Sequence, residues 1–329
     1  MPLFRKRSFV RCIFQADENT YQALTTSAPG FFVSDANYKL EPTIGERNIV
    51  GPSFARKQHQ VLDRSMSRMT FRTEMTGQGS DPKIAPAWAT LLKACGFSET
   101  VSTTPARTEW YPATNPPFQA DGANGGGTLS MYFYRDGNAY VMRASRGSWR
   151  MTGEIGQPIF MDWDFSGTYY NSTIQNYASM LSDTFPYDDT TPPILLNATF
   201  SFHGYAYRVH SFSIDCGNTV VMKRRLEYTA GLACARIIDR NITGSFTGEG
   251  VLYNQFQPIS RLNSGTAGAL AITCGTAVGN SFSIGSGANM VQITSLDTGE
   301  RDNISTQTIN FAINDTDVPT QSYFYIYQT

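Results

Sequence analysis

The stretch from Thr70 to Thr100, TFRTEMTGQGSDPKIAPAWATLLKACGFSET, decides the fold class. Around its start Met69, Phe71 and Met75 alternate with charged residues. A period of two residues is typical of a strand with one buried face. A Gly/Ser/Asp/Pro-rich turn follows, so the first half of the stretch predicts a strand and a turn.

The second half of the stretch predicts a short helix over roughly residues 86–95. Apolar residues recur there at i, i+3, i+4 and i+7, and form one stripe: Trp88, Leu91, Leu92 and Cys95. Gly96 is a natural C-terminal stop, because glycine adopts the left-handed conformation that ends many helices.

The composition favours a mainly β protein of two domains. The chain has 329 residues, of which 41% are hydrophobic and 13% aromatic, enough to bury a substantial core. Charged residues make up only 16%, and Ser, Thr, Asn, Gly and Tyr are abundant. β-Branched and aromatic side chains suit a pleated, half-buried surface.

The charge balance argues against a protein that grips nucleic acid. The net charge is −1, whereas such a protein needs a basic excess to displace counterions from phosphates. The N-terminus is basic, but residues 8–15 are too short and interrupted for a signal-peptide core. No apolar run approaches a membrane span. We therefore expect a protein that is kept in the cytoplasm until it assembles.

The cysteines indicate neither a disulfide framework nor a zinc site. There are five, widely spaced and without a C-x-x-C pair: Cys12, Cys95, Cys216, Cys234 and Cys274. We predict free, mostly buried thiols, since free cysteine behaves as a small hydrophobic residue.

Further alternating runs predict strands along the chain. Residues 129–134 and 140–144 flank Asp136-Gly137, a strong hairpin signal. Residues 159–165 predict another strand, and strands resume over 195–214. The aromatic tail Tyr323–Tyr327 is either a last core strand or an edge that pairs with another subunit.

These signals divide the chain into four segments. We predict an N-terminal arm over 1–30, a first module over 31–182, a Pro-rich linker over 183–193 and a second module over 194–329. Residues 41–60 are interpreted as a loop or a long hairpin tip, and residues 98–127 as a long loop.

Two faint matches indicate an internal repeat. Met75–Gly79 resembles Phe246–Gly250 at an offset of 171, which places the helix of the first copy on residues 257–266. Asp136–Met142 resembles Val278–Ile284 at an offset of 142. The order of the matches is the same in both halves. The smaller second offset predicts that the 98–127 loop is an insertion in copy one.

The candidates for chemistry are weak, and we expect no catalytic, cofactor-binding or metal-binding residues. The histidines His59, His203 and His210 are interpreted as surface or edge residues. Asp162 and Asp164 share a strand face at a spacing that suits paired carboxylates, but also that of a solvated face. Asp188 and Asp189 lie in the linker. Gly125–Gly127 lacks the lysine of a phosphate-binding loop and is interpreted as a flexible turn.

Several phrases resemble the tail tube (major tail) proteins of long-tailed, siphovirus-like bacteriophages. The best is APAWATLLKACGF at 85–97, where similar proteins carry an "APAW..LLRACGF"-like phrase and this chain has Lys93 in place of the common arginine. The phrases YFYRDG at 132–137, SRGS at 145–148 and IDRNIT at 238–243 also fit. The resemblance extends over most of residues 40–315.

The resemblance implies two β-sandwich or half-barrel modules, each with one short flanking helix, and no enzyme activity. Such modules join their sheets into rings that stack into a tube around DNA and a tape-measure protein. Two modules per chain imply a trimeric, pseudo-hexameric ring, with a hexamer as the alternative. The other implied partners are tail terminator and distal tail proteins, without membrane insertion, and the location is the tail of the virion.

Two other functions stay open at this point. One is another tail component, such as a terminator or decoration protein. The other is a β-sandwich carbohydrate-binding protein or glycosidase, which would bind sugar through exposed tryptophans: Trp110, Trp149 or Trp163.

Overall fold

The computed structural model describes residues 8–15, 21–25, 27–45, 61–79, 81–113, 127–135, 138–170, 190–228, 231–315 and 323–329. Within them the chain is mainly β, with two short helices, as the sequence predicts. The helices are α1 (Ala89–Ala94) and α2 (Pro258–Ser264). In the first half the strands are β1 (Ser8–Phe14), β2 (Gly30–Phe32), β3 (Ser34–Gly45), β4 (Val61–Glu74), β5 (Phe97–Thr103), β6 (Ala106–Pro112), β7 (Leu129–Arg135), β8 (Asn138–Glu154) and β9 (Phe160–Tyr169).

The second half contributes the remaining strands. They are β10 (Thr199–Phe202), β11 (Tyr205–Ala206), β12 (Val209–Asp215), β13 (Asn218–Arg224), β14 (Leu232–Arg240), β15 (Ile242–Glu249), β16 (Leu270–Cys274), β17 (Phe282–Gly285), β18 (Val291–Arg301), β19 (Ile304–Ile313) and β20 (Tyr325–Gln328).

Three antiparallel sheets result. An 11-stranded sheet has the order β18-β19-β15-β12-β8-β7-β1-β2, and β9, β4 and β3 branch from the other edge of β8. A 7-stranded sheet has the order β11-β10-β16-β17-β20-β6-β5, and β13 pairs only with β14. The two larger sheets therefore both contain strands from each half of the chain.

The two larger sheets pack face to face around one aromatic-rich core. Phe97 of the smaller sheet lies 5.7 Å from Trp149 of the larger one, and Phe202 lies 5.5 Å from Phe311, both measured between ring centroids. The Trp88 indole donates to the Thr76 carbonyl at 2.8 Å, which anchors the segment before α1 to the end of β4. This arrangement is a sandwich in which every strand of the core hides one face.

The larger sheet contains the same four-strand pattern twice. One set is β3-β4-β9-β8 and the other is β12-β15-β19-β18, and the two sets join where β8 pairs with β12. The sets differ at one end, because only Ser34 of β3 takes the place of β12, and the rest of β3 pairs with the part of β4 that corresponds to β14. The structure confirms the offset of 171 residues, because Phe71 and Ile242, which are 171 positions apart, occupy equivalent places. Phe71 lies opposite Trp163 of β9, and Ile242 lies opposite Ile313 of β19. The pattern also includes α1 and α2, each of which follows the equivalent strand.

Two parts of the predicted repeat are wrong. Residues 98–127 are not simply an inserted loop, because 97–112 form the β5–β6 hairpin, which corresponds to β16 and β17. The match of Asp136–Met142 to Val278–Ile284 also fails, because β8 belongs to the larger sheet and β17 to the smaller one. Similar local alternation in strands of different sheets produced this false match. The same offset of 142 does hold further along β8, where Trp149 opposite Trp163 is equivalent to Val291 opposite Ile313.

Other local predictions are confirmed with changed bounds. The predicted helix over 86–95 is shorter, and the predicted strand over 159–165 extends as β9 to Tyr169. Part of the predicted 41–60 loop is β3, and 46–60 lies outside the described residues. Of the Pro-rich linker only 190–193 is described.

The C-terminal tail is an internal strand. β20 pairs on one side with β17 and on the other with β6, and Phe324 and Ile326 are fully buried. The last core strand is therefore the correct alternative for the aromatic tail. At the other end, β1 is also part of a sheet and pairs with β7 along its whole length.

The connections between the two halves pack backbone against backbone. The Gly77 N–H donates to Asn280 Oδ1 at 2.9 Å. A Cβ on Gly77 would lie 2.1 Å from the Gly279 carbonyl oxygen, so only glycine fits there. No helix in the described part of the chain is long and apolar enough to cross a membrane.

Candidate assembly surface

The predicted histidines do not form a site. His59 lies outside the described residues, and no group of three or more metal-ligating side chains occurs among those that are described. His203 stacks on Phe202, and its Nδ1 lies 3.3 Å from Arg261 Nη1. Burial, and then the charge of Arg261, lower the pKa of His203 to about 4. His203 is thus a neutral packing residue at the pH of a cell.

The two aspartates on β9 are neutralised rather than poised for catalysis. The Arg72 guanidinium donates to both Asp162 oxygens, at 2.6 and 3.1 Å. Arg68 contacts Asp164 in the same two-pronged way, with its Nε at 2.7 Å. The hydrogen bond to Asp164 raises the pKa of Arg68, as expected for a cation held by its counter-ion. Asp188 and Asp189 lie outside the described residues.

The tryptophans expected on a sugar-binding surface are not exposed. All three named tryptophans are fully buried in the core: Trp110, Trp149 and Trp163. The Trp163 indole donates to Thr73 Oγ1 at 2.8 Å, and the Trp110 indole donates to Glu99 at 3.0 Å. They are packing residues, so this expectation of the carbohydrate hypothesis is wrong.

The outer face of the larger sheet is polar and hydroxyl-rich along its second set of strands, whereas Tyr132, Tyr134 and Val141 form a small buried cluster on β7 and β8. Across the second set of strands, Ser213, Ser245, Asn310 and Ser295 follow one another in register. The Asn310 amide donates to Ser295 Oγ at 2.7 Å. A sheet that buries one face and hydrates the other has this alternation. The outer face is therefore built to face water.

The cations of this face have partners. Besides the two aspartate pairs, the Arg150 Nε donates to Ser213 Oγ at 2.9 Å. In the strand register Arg150 lies between Asp162 and Asp215. Positive charges alternate with negative ones across the strands, so the face presents no basic stripe to a phosphate backbone.

The two four-strand sets form one path of eight strands, β3-β4-β9-β8-β12-β15-β19-β18, and both ends of this path are sheet edges. Within the described ranges, β3 pairs only with β4, and β18 pairs only with β19 apart from one isolated bridge between Val291 and Gly268. Long edges with free N–H and C=O groups are templates for pairing with another chain.

The β8–β12 pairing shows how one repeat docks on another. It runs from Arg150 opposite Asp215 to Glu154 opposite Ser211. The β13–β14 hairpin, which follows β12, extends back over the first repeat and contacts β8, β9 and β4. One repeat thus contributes both a strand and a hairpin to the other.

Two polar residues fix the base of this hairpin. The Asn218 amide donates to the carbonyls of Cys95 and Gly147, at 2.8 and 3.0 Å. Arg240 donates to the Asn218 side chain at 2.9 Å and to the Gly96 carbonyl at 2.8 Å. The carbonyls at the end of α1 are therefore satisfied from the second repeat. Sequence reasoning missed both residues, because nothing local distinguishes them from surface residues.

The five cysteines are free and buried, as predicted. Burial raises the pKa of the Cys12 and Cys216 thiols, which makes both unreactive. Gly127, the one described residue of the predicted glycine turn, has a φ of 101°.

Comparison of the chain with models of known protein families finds no match, and comparison with curated proteins finds none either.

Proposed function

We propose that this chain is a structural subunit that assembles with copies of itself into stacked rings, as the tail tube of a long-tailed bacteriophage. The observation that supports this most strongly is the tandem of two four-strand sets, joined edge to edge inside one chain. A surface that docks one repeat on the next within a chain is suited to dock the next chain as well.

The free ends of the path favour a head-to-tail contact. β18 ends the second repeat and the β2–β3 segment begins the first, so pairing β18 of one subunit with the first repeat of the next continues the sheet. Such heterologous contacts form a ring when the rotation closes. A closed ring removes every edge, which also removes the aggregation hazard of the free strands.

Three chains would contribute eight strands each to a common barrel. At a strand spacing of roughly 4.8 Å, about 24 strands give a circumference of about 115 Å, and so a width of about 37 Å before the strands tilt. Barrels of roughly 16–18 strands already leave an aqueous channel. The water-facing side of the sheet would line this channel.

The chemistry of that face fits a conduit. DNA that passes through a tube must not be held by it, and a free basic stripe would bind phosphates in a salt-dependent manner. Here Arg68 and Arg72 are held by carboxylates of a neighbouring strand. In this proposal DNA and a tape-measure protein are guests of the lumen that no specific contact recognises.

Negative-stain electron microscopy over a range of protein concentrations tests the proposal. We expect rings or tubes with an open lumen, and class averages with three chains and six similar lobes per ring. Light scattering at the same concentrations gives the mass of the ring. A protein that stays monomeric at every concentration, including with preformed tubes as seeds, would contradict the proposal.

A further inference from the structure

The segment Gly30–Ser34 departs from the repeat to which it belongs. It pairs with β1, with Val10 opposite Phe31 and Arg11 opposite Gly30. On its other side, a cavity of about 500 Å³ separates it from Arg72–Thr76, the end of β4. A strand that leaves a cavity beside its own neighbour is poorly packed on that side.

The second repeat shows the same segment in a different pairing. Ser211–Asp215 is hydrogen-bonded on both sides, to Thr243–Thr247 of β15 and to Arg150–Glu154 of β8. It stays in register with β15 along this length, and the cavity of about 330 Å³ that Ser211 and Phe212 line lies toward Glu154 and Leu195.

The two segments are equivalent by register. Ser34 lies opposite Arg72, and Asp215 lies opposite Thr243, which is 171 positions after Arg72. After each segment the chain has a residue with positive φ, Asp35 (52°) or Gly217 (62°), and strand pairing then resumes at an asparagine, Asn37 or Asn218. The same chain path therefore has two different edge partners in the two repeats.

The partner missing from the first repeat is also identified by register. In the second repeat, the strand that pairs with the outer edge of Ser211–Asp215 is β8, which belongs to the first repeat. The strand equivalent to β8 is β18, because Trp149 of β8 lies opposite Trp163 and Val291 of β18 lies opposite Ile313. No repeat precedes the first one in the described chain, so the equivalent β18 belongs to a second copy.

We infer that Gly30–Ser34 is the acceptor edge for β18 of a second copy of this chain, and that β1 covers this edge in the free subunit. The inference rests on the proposed assembly and names its interface. On docking, Gly30–Ser34 leaves β1, closes onto Arg72–Thr76 and pairs with the incoming strand. In the β8–β12 pairing within one chain, Arg150 lies opposite Asp215. The equivalent residues are Gln292 of β18 and Ser34, so Gln292 of the second copy should lie opposite Ser34.

The contacts of β1 show which element moves. β1 is held by β7 along its whole length, from Ser8 opposite Arg135 to Phe14 opposite Leu129, but pairs with only three residues of β2. β1 also holds the segment before β2, because the Arg11 guanidinium donates to the carbonyls of Thr25 and Ala28 at 2.9 and 3.2 Å, and the Cys12 N–H donates to the Pro29 carbonyl at 3.3 Å. The three-residue pairing with β2 is the smaller loss, so β2 moves and β1 stays.

The exchange is close to balanced, as a switch requires. The β1–β2 hydrogen bonds that break are replaced by bonds to Arg72–Thr76 and to the partner strand, and each intramolecular bond contributes only about 1 kcal/mol net. Phe32 is 64% exposed in the free subunit, whereas Phe31 belongs to the buried core and has to stay buried during the exchange, as its equivalent Phe212 is in the second repeat. Covering an edge until a partner arrives is a known way to prevent premature pairing of sheets.

A reversible staple across β1 and β2 tests the cover. The double variant Phe9→Cys, Phe32→Cys places two thiols directly opposite each other in an antiparallel pair. Such positions lie about 4.5–5.5 Å apart between Cα atoms, within the range that a disulfide spans. The native thiols are buried and do not compete. We expect the oxidised variant to stay monomeric at concentrations at which the reduced variant and the wild type form rings.

Each outcome of the staple is informative. Rings from the oxidised variant at the wild-type concentration would overturn the inference and leave the proposed assembly intact. Failure of the wild type itself to assemble would instead refute the proposed function. A matched control, Phe9→Ser with Phe32→Ser, removes the same two aromatic side chains but cannot form a disulfide. It should assemble into rings under both oxidising and reducing conditions.

A crosslink between subunits tests the register. The double variant Ser34→Cys, Gln292→Cys should give covalently closed trimers on a non-reducing gel after oxidation of assembled rings. Ser34→Cys with Asp297→Cys, five positions further along β18, should give at least tenfold less crosslinked product. Equal crosslinking by both pairs, or none by the first pair in assembled rings, would refute the register.

Discussion

Replacing the carboxylates that hold the arginines of the open face should turn a neutral surface into one that binds DNA. The change is Asp162→Asn with Asp164→Asn. Both side chains lie on the water-facing side of β9, where they accept from Arg72 and Arg68. The amides keep the size of the carboxylates and remove two negative charges, so both guanidinium groups become available to phosphates.

The expected gain in DNA binding follows from the number of arginine side chains, two, that lose their carboxylate partners. Each phosphate that an arginine neutralises steepens the dependence of log Kobs on log salt by about 0.9, so two contacts add about 1.8. Between 50 and 200 mM salt this corresponds to an added change of about tenfold in affinity. Because these pairs are partly exposed, their loss should cost only about 0–1 kcal/mol each in the free energy of unfolding.

Fluorescence anisotropy of a labelled DNA duplex measures both effects. Protein is titrated at several salt concentrations below the threshold for assembly, and thermal unfolding checks that the variant is folded. The matched control is Asp297→Asn with Glu300→Gln, which removes the same number of negative charges from exposed positions of β18. Equal DNA binding by the variant and the control, or by the variant and the wild type, would refute the reasoning that paired arginines keep the face from binding phosphate.

Three further changes test the packing. Gly77→Ala should lower the free energy of unfolding by about 1–3 kcal/mol in urea titrations, because its Cβ meets a carbonyl oxygen at 2.1 Å. At Gly156 the added Cβ meets nothing within 4 Å and only the positive φ of 79° opposes alanine, so the loss there should be smaller. Thr73→Val should cost about 1–3 kcal/mol and shift the fluorescence of Trp163, because it leaves the buried indole N–H without its acceptor; an unchanged unfolding midpoint would contradict this. The pKa of His203 is about 4 in the folded protein and about 6.5 in the unfolded chain, so the neutral imidazole stabilises the fold fully above pH 6.5 and progressively less as the pH falls toward 4. His203→Gln should therefore flatten the pH dependence of the unfolding midpoint between pH 6.5 and 4.

The elements that the sequence predicted correctly are those with a strong local signal. The alternation around Phe71, the apolar stripe of α1 and the pairing of β7 with β8 each depend on neighbours within about ten residues. α2 was also found, although its own pattern is weak, because its place in the repeat indicated it.

The β5–β6 hairpin was missed because its local signals conflict. Pro105 and the surrounding threonines are typical of a loop, but Thr108, Glu109 and Trp110 in the middle of β6 are all buried. What makes β6 a strand is its position between β5 and β20, more than 200 residues later in the chain. A pairing over that distance leaves no trace in a local window.

The candidate interface could be predicted only as a class. The repeat indicated modules that pack on one another, but not which edges meet, because register depends on both strands. The partners of Asn218 and Arg240 were equally hidden, since they are backbone carbonyls that any sequence provides. Polar residues of this kind become visible only once the docked hairpin is known.

The internal junction has a consequence for how a ring of this chain would assemble. A chain with two repeats makes one of every two junctions during its own folding, where the effective concentration of the partner is high. Only the second junction waits for another subunit, and it is the one whose acceptor edge, Gly30–Ser34, is covered by β1. The β8–β12 junction needs no such cover, because its strands never meet a competing copy before they pair. A cover on one edge and none on its internal equivalent is therefore the asymmetry expected if the cover acts against association between chains. If it served only to stabilise the fold, both repeats would need it equally.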